Sequence, residues 1–489
     1  MKRVIPLIVA LMVSTVEGKP MKSGARTVHK RVGGAPLLVV QQPWPPVFSL
    51  RIEVDAGALT DPAGQEGRAL LCWRTALVAS RQRPRFALAK ALEGLGARLE
   101  LDVGRTSAVL ELTGLSATFS EAVAVFAEVL TEPRFDASDL EQERRRVLAD
   151  IAGGLEDDDA LAHESALRFA YRGVPAGRAI SGEAETLAKL NPKACSAWFQ
   201  KAVSTAQVAI GVSGGVSAKQ AHEVIGRHLP QLLKPRSAPV SLPKAKLSGR
   251  RLLLLDHPGR QQATIALMMP GVGPSDPNQD AFALADIALG GMFTSRLNYR
   301  IRDQRGWAYS LESFLLQGRS SGLWSAQWNV EASVAAQSLD LAMRIIELTA
   351  RDGLTAEELR RCRGFLSKQP LYQRATARGE LAGRMRDQRL GLPDLEFDAY
   401  TRRLEKLSLD DLKKALRQVL NPGAVAVVVI GDAKALGASL RAARSGFAVE
   451  VMPYTGAPNR SRLQGNQLRV TAPPVVPKPS GSGSSGRPQ

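Results

Sequence analysis

Five histidines, His29, His163, His222, His228 and His257, are the ordinary raw material for a metal site in this chain. None stands in an H-x-x-x-H, H-x-x-E-H or inverted H-x-x-E-H arrangement. A helical metal site needs imidazoles one turn apart, so that both point the same way. His222 and His228 are six apart and do not share a helix face. The three cysteines, Cys72, Cys195 and Cys362, are isolated and form no C-x-x-C pair. An odd count in an exported chain leaves a thiol over, and all three sit in apolar, helix-like surroundings that read as core. The side chains that most often carry zinc chemistry are therefore scattered.

Other function classes follow from composition. The net charge of +18 invites a nucleic-acid reading. The positive charge, however, runs along the whole chain and is interleaved with acids, as in Glu141-Gln-Glu-Arg-Arg-Arg146. No stretch alternates Lys or Arg with aromatics as a base-stacking surface requires. The expectation is no nucleic acid, with a basic surface that attracts acidic peptides or partners.

The ends carry their own signals. Lys2 and Arg3 precede an apolar run from Val4 to Val13, interrupted by Pro6, and Val16-Glu-Gly18 offers small residues for cleavage. That pattern predicts a signal peptide over residues 1–18 and a periplasmic or secreted protein. No later stretch is long and apolar enough to span a membrane. Residues 454–489, rich in Pro, Ser and Gly, read as a tail that cannot bury a core.

The body between these ends repeats itself. Phe48 to Val54 alternates like a strand and leads through Ala56-Gly57 to Asp61-Pro62. Ala263 to Met269 does the same and leads through Pro270-Gly271 to Asp276-Pro277. A helical stretch follows each, Gly67 to Ala79 and Ala281 to Leu289. Each half also closes on an apolar strand ending in glycine, Val208 to Gly214 and Ala424 to Gly431. The repeat unit is thus a domain, far longer than a solenoid repeat. The predicted organisation is a first domain over 19–233, a Pro-spaced linker over 234–250 and a second domain over 251–453. Strands mixed with helices and hairpin-like steps predict an α+β fold, helices packed on a mainly antiparallel sheet.

At this point the sequence resembles the pitrilysin/insulinase family, in the branch that includes mitochondrial processing peptidase. Gly290-Gly-Met-Phe-Thr-Ser-Arg-Leu297 and Arg302-Asp-Gln-Arg-Gly-Trp-Ala-Tyr309-Ser resemble the family's "G-M-x-S-R-L…R-x-x-x-G-x-A-Y-S" segment. Gly94-Leu-Gly-Ala97, and Phe135 with Asp139 to Val147, are similar to its first-domain turn and "F…E-R-x-x-V" helix. The resemblance implies two homologous domains in a clam-shell arrangement. It also implies a zinc motif, H-x-x-E-H, in the context "E-G-x-A-H-x-x-E-H", where the histidines bind the metal and the Glu activates its water. Here Glu66-Gly-Arg-Ala69 matches the lead-in, but Leu70, Trp73 and Arg74 replace the two histidines and the Glu. The third-ligand position falls on Asp150, which shares a helix face with Glu143. Arg74 is expected to pair with Asp150 or Glu143 across the old site, a cation in place of a cation.

The family's second site is an Arg and a Tyr, seven residues apart, that hold the substrate backbone. The resemblance places these at Arg302 and Tyr309. Guanidinium and phenol both donate to a peptide carbonyl, and more strongly to the developing oxyanion. The bland alternative is Arg302 in an ion pair with Asp303 or Glu312, and Tyr309 packed at a strand edge. Loss of one half-site and retention of the other imply a chain with no cofactor, inactive alone. It would bind peptide and supply Arg302 and Tyr309 to a zinc-bearing homologous subunit in a heterodimer, or pair as a homodimer. The other expectation is a scaffold of the same fold with no role in proteolysis.

Overall fold

A computed structural model describes residues 26–234, 238–392 and 397–454. The signal peptide expected at 1–18 and nearly all of the expected tail lie outside the described residues.

Strands β1 (Arg26–Val32), β2 (Ala35–Gln41), β3 (Val47–Val54), β4 (Arg98–Val103), β5 (Ala108–Leu115) and β6 (Val208–Gly214) build one sheet, ordered β1-β2-β6-β3-β5-β4. Strands β7 (Arg250–Asp256), β8 (Gln262–Gly271), β9 (Ala308–Gln317), β10 (Gly322–Glu331), β11 (Val425–Gly431) and β12 (Ala448–Pro453) build the other, ordered β12-β7-β11-β8-β10-β9. The repeated segments take equivalent places: β3 and β8 lie centrally, each beside its glycine-ended partner, β6 or β11. Both sheets are mixed: β2 runs parallel to β6, and β7 parallel to β11 and β12. The remaining pairs are antiparallel. The outermost strand breaks the repeat, since β1 precedes the first half whereas β12 ends the second.

The helices of the first half are α1 (Arg68–Ala76), α2 (Arg85–Gly94), α3 (Phe119–Thr131), α4 (Ala137–Gly153), α5 (Asp158–Ala170), α6 (Ala184–Leu187), α7 (Pro192–Thr205) and α8 (Ala218–His228). The second half has α9 (Gln279–Asp286), α10 (Ala335–Asp352), α11 (Ala356–Gln373), α12 (Ala377–Leu390), α13 (Phe397–Lys406), α14 (Leu409–Val419) and α15 (Ala433–Arg441). The helix expected over Ala281 to Leu289 ends at Asp286 and continues as a wide turn over Ile287–Gly291.

Alternation along the strands gives each sheet two faces. On β3, Phe48, Leu50, Ile52 and Val54 enter the core under their own half's helices, while Ser49, Arg51 and Glu53 turn the other way. That second face is covered by the opposite half. Helix α5 packs on β8 and β11, where Leu161, Ala166 and Leu167 join Leu253, Met268 and Val428 in one buried cluster. In return α12 lays Leu381 and Met385 on Leu38 and Val40. Gly211 on β6 makes the approach possible, because a Cβ there would stand 2.4 Å from the Met385 sulfur. The two homologous α+β domains therefore close on each other by exchanging a helix.

Polar groups seal this seam. Arg378 on α12 grips Glu111 on β5 with two hydrogen bonds of 2.6 and 2.9 Å, and Ser49 donates to the same carboxylate. Burial alone would raise the Glu111 pKa, but these donors hold it below the ordinary value. Between the halves, residues 238–248 have no regular structure. They are pinned where the Val240 N–H donates to Asp55 and where Leu242 and Leu247 pack beside the α5 cluster.

All three cysteines are buried and one thiol is left over, as the sequence reading expects, and the structure adds a bond between the other two. Cys72 on α1 and Cys195 on α7 form a disulfide, and only Cys362 is a free, buried thiol. The two partners lie 123 residues apart in sequence, so only the packing of α1 against α7 brings them together.

Candidate functional site

Helix α1 carries the positions at which the zinc motif would stand. Its start is fixed by Gly67, whose φ of 87° suits glycine and whose added Cβ would lie 2.4 Å from the Ser181 carbonyl oxygen. Asp61 accepts from the Ala69 N–H at 3.0 Å and closes the first turn. Burial pushes that carboxyl up to about 7, against the opposing pull of the backbone N–H groups and Arg68.

From there the motif positions turn inward. Leu70 is 6% exposed and Trp73 is fully buried. The Trp73 indole donates to the Ala56 carbonyl and meets Trp198 and Phe199 edge to face. Arg74 donates to Asp150 on α4 at 2.9 Å, with side-chain exposures of 19% and 13%. Glu143 is not its partner; Arg85 and Arg146 hold that carboxylate. A leucine has no donor atom, an indole N–H only donates, and a guanidinium is itself a cation. The residues present do not fit zinc. Among the described residues no three His, Cys, Asp or Glu side chains converge as a ligand set.

The histidines stay apart. His163 is half-buried on α5 against Phe314, and desolvation pushes its pKa down to about 4. His257 stacks on Tyr454 with ring centres 3.9 Å apart. His222 and His228 lie on α8, and His29 on β1.

The second candidate region is built from the best-matching segment. Gly290 is required by crowding, since a Cβ would meet Ser313 at 2.7 Å. Asp286 below it is half-buried and accepts from Ser313 Oγ and Trp324 Nε1; desolvation outweighs these donors and lifts its pKa to about 6. Arg296 is structural, gripping Glu358 with two bonds and donating to Thr349 and the Gly353 carbonyl. Another wide turn covers Asn298–Asp303. From it the Asn298 side chain both donates to the Leu311 carbonyl and accepts from its N–H. That amide occupies main-chain groups of β9, an edge strand, where an added strand would otherwise bond.

Arg302 and Tyr309 emerge at the two ends of the turn that follows. The Arg302 guanidinium lies 3.3 Å from the Phe293 ring centre and pairs with Asp303 at 2.7 Å. This is one of the two ion pairs the bland alternative anticipates. Tyr309, at the start of β9, is 89% exposed and is not packed at the strand edge. Its hydroxyl is open to whatever approaches that rim.

The roles of Asn298, Asp286 and Arg296, and the disulfide, were not legible beforehand. Asn298 and Leu311 pair through side chain and backbone, and a sequence carries no mark of that.

Residues 38–184 match the family model described as Insulinase (Peptidase family M16). Residues 189–366 match the model described as Peptidase M16 inactive domain. An uncharacterised zinc protease of Mycobacterium leprae is 24% identical over 422 residues, covering 83% of this chain and 92% of its own. A probable mitochondrial-processing peptidase subunit beta of Schizosaccharomyces pombe is 25% identical over 305 residues, covering 60% and 66%. The crystal structure of a peptidase M16 inactive domain from Pseudomonas fluorescens superposes with a TM-score of 0.75 at 23% identity, covering 83% of this chain and 98% of that one.

Proposed function

The chain belongs to the insulinase family, peptidase family M16, and we propose that it is a zinc-free subunit of a metallopeptidase outside the cytoplasm, binding peptide for a zinc-bearing homologous partner. One observation carries the reading: the old metal position is closed by Arg74–Asp150 and buried Leu70 and Trp73, while Tyr309 stands 89% exposed. Its hydroxyl and ring are thereby free to meet another molecule.

In this role the chain's own residues bind and orient. Tyr309 donates its phenol proton in a hydrogen bond to the peptide carbonyl oxygen as that oxygen gains charge. Arg302, steadied by Phe293 and Asp303, holds positive charge beside it. The metal-activated water belongs to the partner and has no counterpart here. The Cys72–Cys195 disulfide supports an oxidising compartment, in line with the expected signal peptide.

The second reading, a scaffold of the same fold, draws on Arg302 being already paired with Asp303. Co-expression with a zinc-bearing homologue and a peptide-cleavage assay separates the two. Tyr309→Phe should lower turnover of the complex by roughly 10²–10³-fold without loss of assembly. Arg302→Ala should weaken both peptide affinity and turnover, because a charged donor and its packing stem are both removed. A double variant that assembles and cleaves at the wild-type rate leaves the scaffold.

A further inference from the structure

Large apolar side chains are costly to leave in water, and where they cluster the surface marks a contact. Among the described residues eleven are exposed, and three of them, Phe293, Tyr299 and Tyr309, lie between residues 293 and 309. Phe293 is 72% exposed and Tyr299 49%. Trp44, Val47 and Leu115 form a second exposed group, since Val47 pairs with Leu115 across β3 and β5; among the described residues, what separates the segment 293–309 is that arginines stand over its exposed rings.

Arginines lie on these rings. Arg302 stacks on Phe293, and Arg300 stands 5.9 Å from the centre of the Tyr299 ring. Arg305 stands 5.1 Å from the half-buried Trp307 ring. A guanidinium that rests on an aromatic face keeps its N–H groups in its own plane, directed outward, where they suit carboxylates. Arg300, Arg302 and Arg305 face only one acid within the segment, Asp303, which Arg302 holds. Arg296, the other arginine there, is committed inward to Glu358. Aromatic and Arg side chains together are also the residue types that dominate binding energy at interfaces.

We infer that the rim formed by Phe293, Tyr299, Tyr309, Arg300 and Arg305 selects acidic peptides, gripping an apolar side chain between the rings and reading neighbouring carboxylates with the two arginines. The inference rests on the peptide-binding role proposed above and adds the substrate class. Charge complementarity favours this occupant. The Asn298 clasp on Leu311 argues for recognition by side chains rather than by strand addition to β9 at that point.

The test uses the full chain alone and needs no partner. A labelled Glu-rich peptide with a central Phe is titrated by fluorescence anisotropy, against the same peptide with every Glu replaced by Lys. The acidic peptide should bind, more weakly as salt rises, and the basic peptide should not. Arg300→Glu with Arg305→Glu should weaken the acidic peptide by about tenfold or more, the sum of several exposed charge contacts. Lys219→Glu, exposed on α8 of the other half, reduces the net charge and should leave binding unchanged. That arm separates the rim from the diffuse field of a +18 protein. Equal binding of both peptides, or full retention by the double variant, overturns the inference while peptide binding stands. Binding of neither peptide overturns the peptide-binding reading itself. A dimer in sedimentation that Phe293→Ala dissolves assigns the rim to a second copy of the chain and overturns the inference too.

Discussion

Arg74 stands where the resemblance places a metal ligand, and its guanidinium puts a positive charge there. Together with Asp150 it joins α1 to α4 by an ion pair, largely shielded from water. Removing one member leaves the other charge largely shielded from water without this partner, which costs more than the pair contributes. Arg74→Ala should lower stability by about 2–4 kcal/mol, read as a drop in the urea midpoint at unchanged slope. Arg74→Ala with Asp150→Ala should recover part of that loss. Elemental analysis of the purified wild type should find no stoichiometric zinc, and a tightly held ion lost on Asp150→Ala would contradict this account of the site.

Among the elements, α1 and α5 carry the strongest constraints. Helix α1 is tied to α7 by the Cys72–Cys195 disulfide, which closes a long loop in the unfolded chain. Reduction, or Cys72→Ala with Cys195→Ala, should cost about 2–5 kcal/mol, measured as a fall in Tm under reducing conditions. Helix α5 packs His163 against Phe314 of the other half, beside Glu164 and Arg105. Its folded pKa, about 4, lies below the ordinary 6.5. The stability it contributes is therefore complete above about pH 6.5 and is lost as pH falls towards 4. His163→Phe should remove that part of the acid sensitivity, a difference on the order of 3 kcal/mol between the two proteins at the acid end. Parallel denaturation series at several pH values measure it. The periodicity of Phe48–Val54 and Ala263–Met269 made β3 and β8 legible, because alternation is a local property. The end of α9 at Asp286 was not, because Gly290 is there for its contact with Ser313, a tertiary reason.

Over the whole molecule, the duplication was readable because glycine-ended strands recur at matching positions. The helix exchange was not, since nothing in the sequence of α5 or α12 says whose sheet the helix covers. That Leu70, Trp73 and Arg74 offer no ligand set follows from their side-chain chemistry alone, whereas the choice of Asp150 over Glu143 as partner of Arg74 needed the positions of Arg85 and Arg146. Gly211 tests the exchange. Gly211→Val would drive a branched side chain into Met385 and Leu381 and should lower stability by about 1–3 kcal/mol. Because the seam joins the halves, unfolding should stay a single transition, moved to lower temperature in calorimetry.

The exchange also sets an order of events on the ribosome. The first sheet is complete in the nascent chain once β6 has been made, yet Leu38 and Val40 wait for α12, which is translated more than 160 residues later. Throughout that interval the newborn first half lacks the helix that covers Leu38 and Val40 in the folded protein. A ribosome stalled between the halves would present a sticky intermediate, the natural client of a holding chaperone. Were the chain, proposed above to act outside the cytoplasm, exported unfolded, the same delay would work in its favour, since neither half can finish closing until nearly the whole chain has emerged.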